Sequence, residues 1–223
     1  MNIIIPKTAL ISLSDKSNLD ELIEFLLDQE VKIISTGGTY KAIKKITDQV
    51  VEVSEFTGFE EMMDGRVKTL HPKIHAGILA RRETDLEVLT DRGYEVIDMV
   101  IVNLYPFQET VASGASFDEA IEKIDIGGPT MIRSAAKNFK DVAVISDPSD
   151  YAQLMDEWKN QGGVSYEFRK ELSQKVFQLM AEYNLAIANY LKGISSRGHQ
   201  YNFSKSESLR SVSYTHLTLP TKA

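Results

Sequence analysis

Short apolar runs alternate with segments of helical periodicity over the first 150 residues, and this alternation limits the possible folds more than any other feature. The apolar residues between Leu19 and Leu27 recur at i, i+3, i+4, i+7 and i+8, which predicts an amphipathic helix. Strands separated by helix-sized segments indicate βαβ units, in which helices cover both faces of a mostly parallel sheet. The predicted class is therefore α/β. The runs that predict strands are residues 9–13, 31–35, 50–53, 96–104 and 142–145.

Three further helices are predicted between these strands. Two lie at about residues 40–46 and 117–124. The third begins at Pro129, because proline suits the first position of a helix, and runs to about Asn138.

The alternation stops after Asp150, and the rest of the chain has a different pattern. A helix around residues 154–158 is followed, after two glycines, by a long helix from about Tyr166 to Leu191. The apolar face of the long helix packs either on the sheet domain or on a partner chain, and we favour packing within the chain. We divide the chain into a domain at 1–150, a helical connector at 151–192, a polar linker at 193–210 and a tail at 211–223.

Composition excludes several classes of protein. The absence of Cys rules out a disulfide scaffold, a Cys zinc site and a thiol nucleophile. No apolar run approaches the roughly 20 residues that span a bilayer, and the first residues lack the basic and apolar regions of a secretory signal. We therefore expect a cytoplasmic protein. The net charge of −7 argues against nucleic acid or a membrane surface as a partner.

The acidic total conceals a basic stretch at residues 65–82, which contains Lys and Arg side chains but no Asp or Glu. The planar guanidinium of Arg can donate two parallel hydrogen bonds to a phosphate, whereas Lys acts as a point charge or a proton donor. The stretch suits a small anion better than a polymer, and the alternative is a solvated loop. Its basic residues are Arg66, Lys68, Lys73, Arg81 and Arg82.

Polar or glycine-rich breaks follow several predicted strands. In α/β sheets, ligands bind outside the carboxyl ends of the strands. At residues 36–39, two glycines between threonines would let the backbone approach an anion closely. An ordinary strand-to-helix turn is the alternative there, and a helix-start turn is the alternative at residues 14–16. Asn103 and Tyr105 follow the strongest strand signal.

Two other residue pairs are open to more than one interpretation. His71 and His75 are four apart, but Pro72 lies between them, so we favour a structural or substrate-adjacent role over zinc. Asp125 and Lys137 would form a proton-transfer pair if a dry cleft brought them together. The alternative for each is a surface residue, and periodicity alone does not decide.

A series of motifs resembles the IMP cyclohydrolase half of the bifunctional AICAR formyltransferase/IMP cyclohydrolase family of purine biosynthesis. The resemblance covers about residues 8–150, with weaker support to about 192. It implies a methylglyoxal-synthase-like, Rossmann-like α/β fold for the domain at 1–150. In chain order the motifs are Leu13-Ser14-Asp15-Lys16, Ser35-Thr36-Gly37-Gly38-Thr39, Asp64-Gly65-Arg66-Val67-Lys68-Thr69-Leu70-His71-Pro72, His75-Ala76-Gly77-Ile78-Leu79, Asn103-Leu104-Tyr105-Pro106-Phe107, Ile124-Asp125-Ile126-Gly127-Gly128-Pro129 and Ala135-Ala136-Lys137-Asn138.

The resemblance implies a reaction in which 5-formamidoimidazole-4-carboxamide ribotide closes to IMP with loss of water. A base must take the proton of the attacking carboxamide nitrogen, and the formyl oxygen must be stabilised and then protonated. No cofactor and no metal is implied for this step. The family's 10-formyltetrahydrofolate belongs to the formyltransferase half alone.

The resemblance also implies roles for individual residues. Lys137 matches a proton donor/acceptor with Asp125 as its partner, and which of them acts first as base stays open. Lys68 and Tyr105 match groups that stabilise the formyl oxygen. The residues that match nucleotide-binding positions are Ser14, Asp15, Lys16, Thr36, Gly37, Gly38, Thr39, Arg66, Val67, Lys68, Thr69, Val102, Asn103, Asp125 and Ile126.

The end of the chain departs from the family pattern. Leu209 and Arg210 match the opening of the formyltransferase half, after which residues 211–223 differ completely. We expect a truncation followed by a non-native tail, so the formyltransferase site is missing. The resemblance implies a homodimer for the full-length enzyme.

Two other functions remain open. A sugar-phosphate lyase of the methylglyoxal-synthase type would share the fold and a phosphate loop, but should lack the motifs around Lys68 and Asp125. A non-catalytic nucleotide-sensing module would need the phosphate loop but no pairing of Asp125 with Lys137.

Overall fold

A five-stranded parallel sheet organises the computed structural model, which describes residues 2–193. The strands are β1 (Ile3–Ile4), β2 (Thr8–Leu13), β3 (Lys32–Ser35), β4 (Val50–Glu52), β5 (Met99–Asn103), β6 (Ala143–Ile145) and β7 (Val164–Ser165). The helices are α1 (Leu19–Asp28), α2 (Gly37–Ile43), α3 (Val53–Thr57), α4 (Pro72–Leu79), α5 (Leu86–Thr90), α6 (Phe107–Ala112), α7 (Phe117–Glu122), α8 (Gly127–Lys137), α9 (Tyr151–Gln161) and α10 (Tyr166–Leu191), with a 3₁₀ turn at Pro148–Asp150. The sheet has the order β4-β3-β2-β5-β6, and β1 pairs separately and antiparallel with β7.

The central strands are buried on both faces, as a parallel sheet covered by helices requires. In register, Leu10 of β2 lies between Ile34 of β3 and Val100 of β5, and all three side chains are fully buried. The apolar stripe of α1 is buried on the same core. The predicted α/β class with a mostly parallel sheet is therefore confirmed.

The order of the strands places a crevice beside β2. From β2 the chain first adds β3 and β4 on one side and later adds β5 and β6 on the other. The strands are parallel, so the carboxyl ends of β2, β3 and β5 meet at one edge, called here the carboxyl edge. A reversal of strand order is where ligands bind in open α/β sheets.

The long helix α10 packs within this chain and runs antiparallel to α8. Ser173 Oγ donates a hydrogen bond of 2.8 Å to Ala136 O near the end of α8. At the other end, the Asp125 N–H before α8 donates to Tyr183 Oη at 2.9 Å. Leu172, Val176 and other apolar side chains of α10 are buried in the core. The predicted helix bounds and its packing within the chain are both confirmed.

Arg169 fixes the first part of α10 to the opposite, amino edge of the sheet. Its side chain is fully buried and donates only to uncharged oxygens. The acceptors include Phe139 O at 2.8 Å, Lys140 O at 2.9 Å and, at a shorter distance, Val164 O. Burial lowers the pKa of the guanidinium.

Two predicted helices begin earlier in the structure. Helix α8 starts at Gly127, so Pro129 is its third residue. Its first turn tolerates proline because those N–H groups have no intrahelical partner. Helix α2 starts at Gly37 because Thr36 O accepts from the N–H groups of Thr39 and Tyr40.

The sequence did not predict α4. Pro72 occupies the first position of α4, and His71 caps the helix by accepting from Lys73 N at 3.1 Å. The strand predicted at 96–104 is shorter than expected, because Ile97 N donates to Gly77 O of α4 instead of joining the sheet.

Within residues 2–193, no helix has the length and apolar character needed to cross a membrane. The predicted linker and tail lie outside the described residues, apart from residue 193.

Candidate functional site at the carboxyl edge

Asn103 ties the carboxyl ends of β2 and β5 together. Its Oδ1 accepts from Ser14 N at 2.7 Å and Asp15 N at 3.0 Å, while its Nδ2 donates to Asp15 O at 2.7 Å. The amide of Asn103 is therefore used to hold the turn at residues 14–16. Lys16 Nζ donates to Leu13 O at 3.0 Å, which folds the Lys16 side chain back over the strand end.

The Asp15 carboxylate closes the same turn. It accepts from the side chain and the backbone N–H of Ser17, and these hydrogen bonds lower the pKa of Asp15. The turn thus presents a carboxylate at the carboxyl edge.

The loop at residues 36–39 presents its glycines and buries its threonines. Thr39 Oγ1 accepts from Leu13 N at 2.8 Å and donates to Leu13 O at 3.0 Å. Thr36 Oγ1 lies 3.0 Å from Ser12 Oγ. Both threonines therefore fasten α2 to β2, and the accessible part of the loop is Gly37, which has a φ of 45°, and Gly38.

The basic segment at 66–69 is shaped by a tight turn. Met62 and Val67 pair as an antiparallel bridge. Between them, Met63, Asp64 and Gly65 have φ values of 55°, 54° and 88°. This left-handed turn brings Lys68 back toward the sheet.

Lys68 lies beside the glycine loop, and its side chain is 19% exposed. A Cβ added at Gly37 would lie 3.3 Å from Lys68 Nζ. The ammonium forms an ion pair with Glu61, and Arg66 forms one with Glu122. Two of the three cations expected to bind the nucleotide, Arg66 and Lys68, are thus paired with carboxylates.

The basic stretch of the sequence is divided in space. Arg82 donates to Ile97 O at 3.0 Å and to Asp98 Oδ1 at 3.2 Å, just before β5 and therefore at the amino edge. Arg81 pairs with Asp85. Of the five cations, these two do not join Lys68, so the expectation of one basic patch over 65–82 is wrong. Spacing along the chain could not reveal the division.

Asp125 is held by the backbone in front of α8. Its Oδ1 accepts from Gly128 N at 2.9 Å. Burial raises the pKa of the carboxyl, against the opposing effect of the N–H groups of Gly128, Tyr105 and Gly127. A Cβ at Gly128 would lie 2.4 Å from Asp125 Oδ2, so the close approach requires glycine. Ile126 beside it is exposed.

Tyr105 and Lys68 reach the same region from two other segments. The N–H of Tyr105 lies near enough to the Asp125 carboxylate to oppose the rise of its pKa, and 53% of the Tyr105 surface is exposed. Thr69 is buried, and its Oγ1 would lie 2.7 Å from a Cβ at Gly127, which joins the basic segment to the start of α8. Asp125, Tyr105 and Lys68 therefore lie on adjoining segments.

Lys137 is not brought to Asp125. It is the last residue of α8, whose eleven residues span about 15 Å from the Asp125 end. The next residue, Asn138, donates to Ile78 O at 2.9 Å and Ala80 O at 3.1 Å, away from the carboxyl edge. Within one chain the two side chains do not form the expected pair.

The remaining predicted residues have mainly structural surroundings. Val102 is buried in β5, and Val67 forms the bridge with Met62. His75 Nδ1 lies 3.2 Å from Ser134 Oγ, which joins α4 to α8. In the described part of the chain, His, Asp and Glu side chains form no group of three that could hold a metal ion.

Sequence reasoning missed three residues at this edge. Glu61 and Glu122 pair with the basic segment, and Tyr183 contacts the Asp125 loop. Glu61 is seven residues before Lys68, and a hairpin turn between them would have predicted that the two side chains meet. No local signal connects Tyr183 with a residue 58 positions earlier.

Two families match the chain. The MGS-like domain family matches residues 18–130, just over half of the chain. The AICARFT/IMPCHase bienzyme family matches residues 135–216.

Curated relatives and a solved structure are also similar. The bifunctional purine biosynthesis protein PurH of Clostridium perfringens is 55% identical over 187 residues, which cover 83% of this chain and 37% of that protein. PurH of Clostridium kluyveri is 54% identical over 185 residues, which cover 82% of this chain and 37% of that protein. The chain thus spans under two-fifths of these relatives. The crystal structure of ForH superposes with a TM-score of 0.72 at 33% identity, covering 83% of this chain and 99% of that one.

Proposed function

The chain belongs to the MGS-like domain family, and from that premise we propose that it is an IMP cyclohydrolase. It would close 5-formamidoimidazole-4-carboxamide ribotide to IMP with loss of water. The proposal is supported by the second family match, to the AICARFT/IMPCHase bienzyme, and by the relatives named PurH. The carboxyl edge carries groups of the kind that this chemistry needs.

The nucleotide would lie along the carboxyl edge with its 5′-phosphate at Gly37 and Gly38. The accessible glycine backbone can approach an anion, and Lys68 Nζ beside Gly37 supplies a positive charge. Arg66 can add a second charge from the same segment. The turn at residues 14–16 would border the ribose and the base.

Ring closure needs a proton acceptor for the carboxamide nitrogen and stabilisation of the formyl oxygen. The observation that carries the proposal is the half-buried Asp125 carboxyl, which accepts from Gly128 N at 2.9 Å and whose pKa is raised by its partial burial. A carboxyl with a raised pKa is better matched to proton transfer near neutral pH. The Tyr105 hydroxyl and Lys68 would stabilise the charge that develops on the formyl oxygen. Both reacting groups belong to one ring, so positioning contributes much of the acceleration.

Lys137 has no part in this scheme within its own chain, because about 15 Å of α8 separates it from the Asp125 loop. The proton acceptor we assign is therefore Asp125.

The proposal extends to cofactor, partner and compartment. The cyclisation would use a small-molecule nucleotide with neither cofactor nor metal. 10-Formyltetrahydrofolate would serve only the AICAR formyltransferase reaction of a longer chain, of which this one would be part. We also propose a homodimer for that longer enzyme and a cytoplasmic location.

The direct test adds the formamido ribotide to the chain and follows IMP formation by ultraviolet absorbance. Asp125→Asn keeps an oxygen that can accept from Gly128 N but removes the base. Turnover should fall by about 10²-fold or more, the usual contribution of a positioned acid–base group. The exposed Asp118 of α7 offers a matched control, and Asp118→Asn should keep native turnover.

Other results of this experiment would exclude Asp125 from the mechanism or favour one of the two alternative functions. Equal rates for native chain and Asp125→Asn would remove Asp125 from the mechanism. Nucleotide binding without IMP formation would favour the sensing module, and release of phosphate from a sugar phosphate would favour the lyase.

A further inference from the structure

Tyr183 of α10 contacts the Asp125 loop through a hydrogen bond from the main chain. The Asp125 N–H donates to Tyr183 Oη at 2.9 Å. Tyr183 is 9% exposed, so water has little access to compete for this bond. The phenol therefore holds the backbone at the residue whose carboxyl the proposed reaction uses.

The ring of Tyr183 supports a second segment of the same site. It packs edge-on against the ring of Phe107, with the centroids 6.3 Å apart and the planes at 66°. Phe107 begins α6 two residues after Tyr105, and its N–H donates to Tyr105 O at 2.8 Å. One side chain of α10 thus contacts both the Asp125 loop and the turn that carries Tyr105.

The position of Tyr183 is fixed by the rest of α10. Near the start of the helix, Arg169 donates to several main-chain oxygens at the amino edge, and Ser173 bonds Ala136 O of α8. A helix held at one end and packed along α8 gives little freedom to a buried side chain at the other. The phenol therefore has the fixed location that a support for a reacting group requires.

We propose that Tyr183 is a positioning residue that holds Asp125 and the Tyr105 turn in register for ring closure. This inference rests on the proposed cyclohydrolase function and extends it, because it makes α10 part of the site instead of a connector. The MGS-like match ends at residue 130, so the support for Asp125 comes from the part of the chain matched by the bienzyme family.

Tyr183→Phe tests the inference, because it keeps the ring against Phe107 and removes only the hydroxyl. We expect kcat for IMP formation to fall about tenfold or more while KM stays within about twofold, since a small misplacement at a reacting centre is costly. Hydrogen exchange of the Asp125 amide, followed by NMR, should accelerate about tenfold because its acceptor is lost. The matched control is Tyr190→Phe. Tyr190 also packs on Phe107 from α10 but has no hydrogen bond to the Asp125 loop, so both readouts should stay native.

Each outcome decides between the alternatives. If the Tyr183→Phe chain has a lower melting temperature but native kcat, the hydroxyl only stabilises the fold, and the inference is overturned. Unchanged exchange of the Asp125 amide would overturn it as well. A native chain that forms no IMP would instead remove the proposed function, which is a different result from loss of turnover in the variant only.

Discussion

Lys68 and Arg66 each form an ion pair with a carboxylate, so the nucleotide of the proposed function would have to compete with these carboxylates. Glu61 lies across the tight turn from Lys68, and about half of its side chain is exposed. The Lys68 ammonium lowers the pKa of Glu61, which therefore stays ionised at neutral pH. Exposed ion pairs contribute little to stability. A phosphate can therefore displace Glu61 at small cost, and the pair can keep Lys68 near Gly37 until it does.

The first prediction concerns Glu61→Gln, which removes this competing charge and keeps the side-chain shape. Binding of IMP, measured by calorimetry, should tighten about two- to fivefold, the range expected for an exposed ion pair. Asp64→Asn is the matched control, because Asp64 lies in the same turn without an ion pair to Lys68. Weaker binding by Glu61→Gln would instead mean that Glu61 shapes the turn and does not compete with the ligand.

At the scale of single residues, the motifs predicted which residues lie near the site but not what their side chains bond. The motifs placed Lys68, Tyr105 and Asp125 near strand ends or loops, and the structure brings their segments together. Thr39 and Asn103 were expected at the nucleotide, but their polar atoms bond the end of β2 and the turn after it. Residue type could not distinguish these uses, because a hydroxyl or an amide serves a strand end as well as a ligand.

At the scale of elements, α10 crosses the molecule from the amino edge to the carboxyl edge beside α8. Arg169 is its anchor at the amino edge. A buried guanidinium without a carboxylate persists because main-chain oxygens satisfy its donors. Arg169 therefore fixes the start of α10 at the amino edge, in addition to the apolar packing of the later turns of the helix.

The second prediction concerns Arg169→Met, which has similar length but cannot donate. Several buried oxygens lose their partners, so the free energy of unfolding in urea should fall by about 3 kcal/mol or more. Lys170→Met, at the next and exposed position, should change it by no more than about 0.5 kcal/mol. Similar losses in the two variants would contradict the anchoring role of Arg169.

Elements with strong periodicity were predictable, and those decided by tertiary contacts were not. The stripe of α10 gave the bounds Tyr166–Leu191 correctly. The start of α8 was predicted two residues late, because it depends on the Asp125 carboxylate bonding Gly128 N. The contact of Tyr183 with Asp125 follows only from antiparallel packing of two helices, which neither helix encodes alone.

At the scale of the whole molecule, His75 links stability to pH. It lies between α4 and α8, and its Nε2 has no hydrogen-bond partner among the described residues. Burial lowers the pKa of His75 below its ordinary value of about 6.5. The unfolded chain therefore takes up a proton at His75 at a higher pH than the folded chain does. Stability from this group is complete above about pH 6.5 and is lost as the pH falls toward the folded pKa.

The third prediction is that His75→Gln reduces this acid sensitivity. The native chain should lose free energy of unfolding between pH 7 and pH 5.5, and the variant should lose less, as measured by urea titrations at each pH. Between pH 7.5 and pH 8.5 the two slopes should agree, because His75 is neutral in both states there. A variant with the native slope below pH 7 would assign the sensitivity to other groups.

The crossing of α10 also decides where attachments to this domain can be placed. Asn2 lies against Arg169 at the amino edge, whereas the last turns of α10 reach Phe107 at the carboxyl edge. A fluorophore or a surface tether joined on the Asn2 side would leave the approach to Gly37 and Asp125 open. The same attachment at Gly193 would begin next to the last turn of α10, on the side of the domain where Tyr190 packs on Phe107.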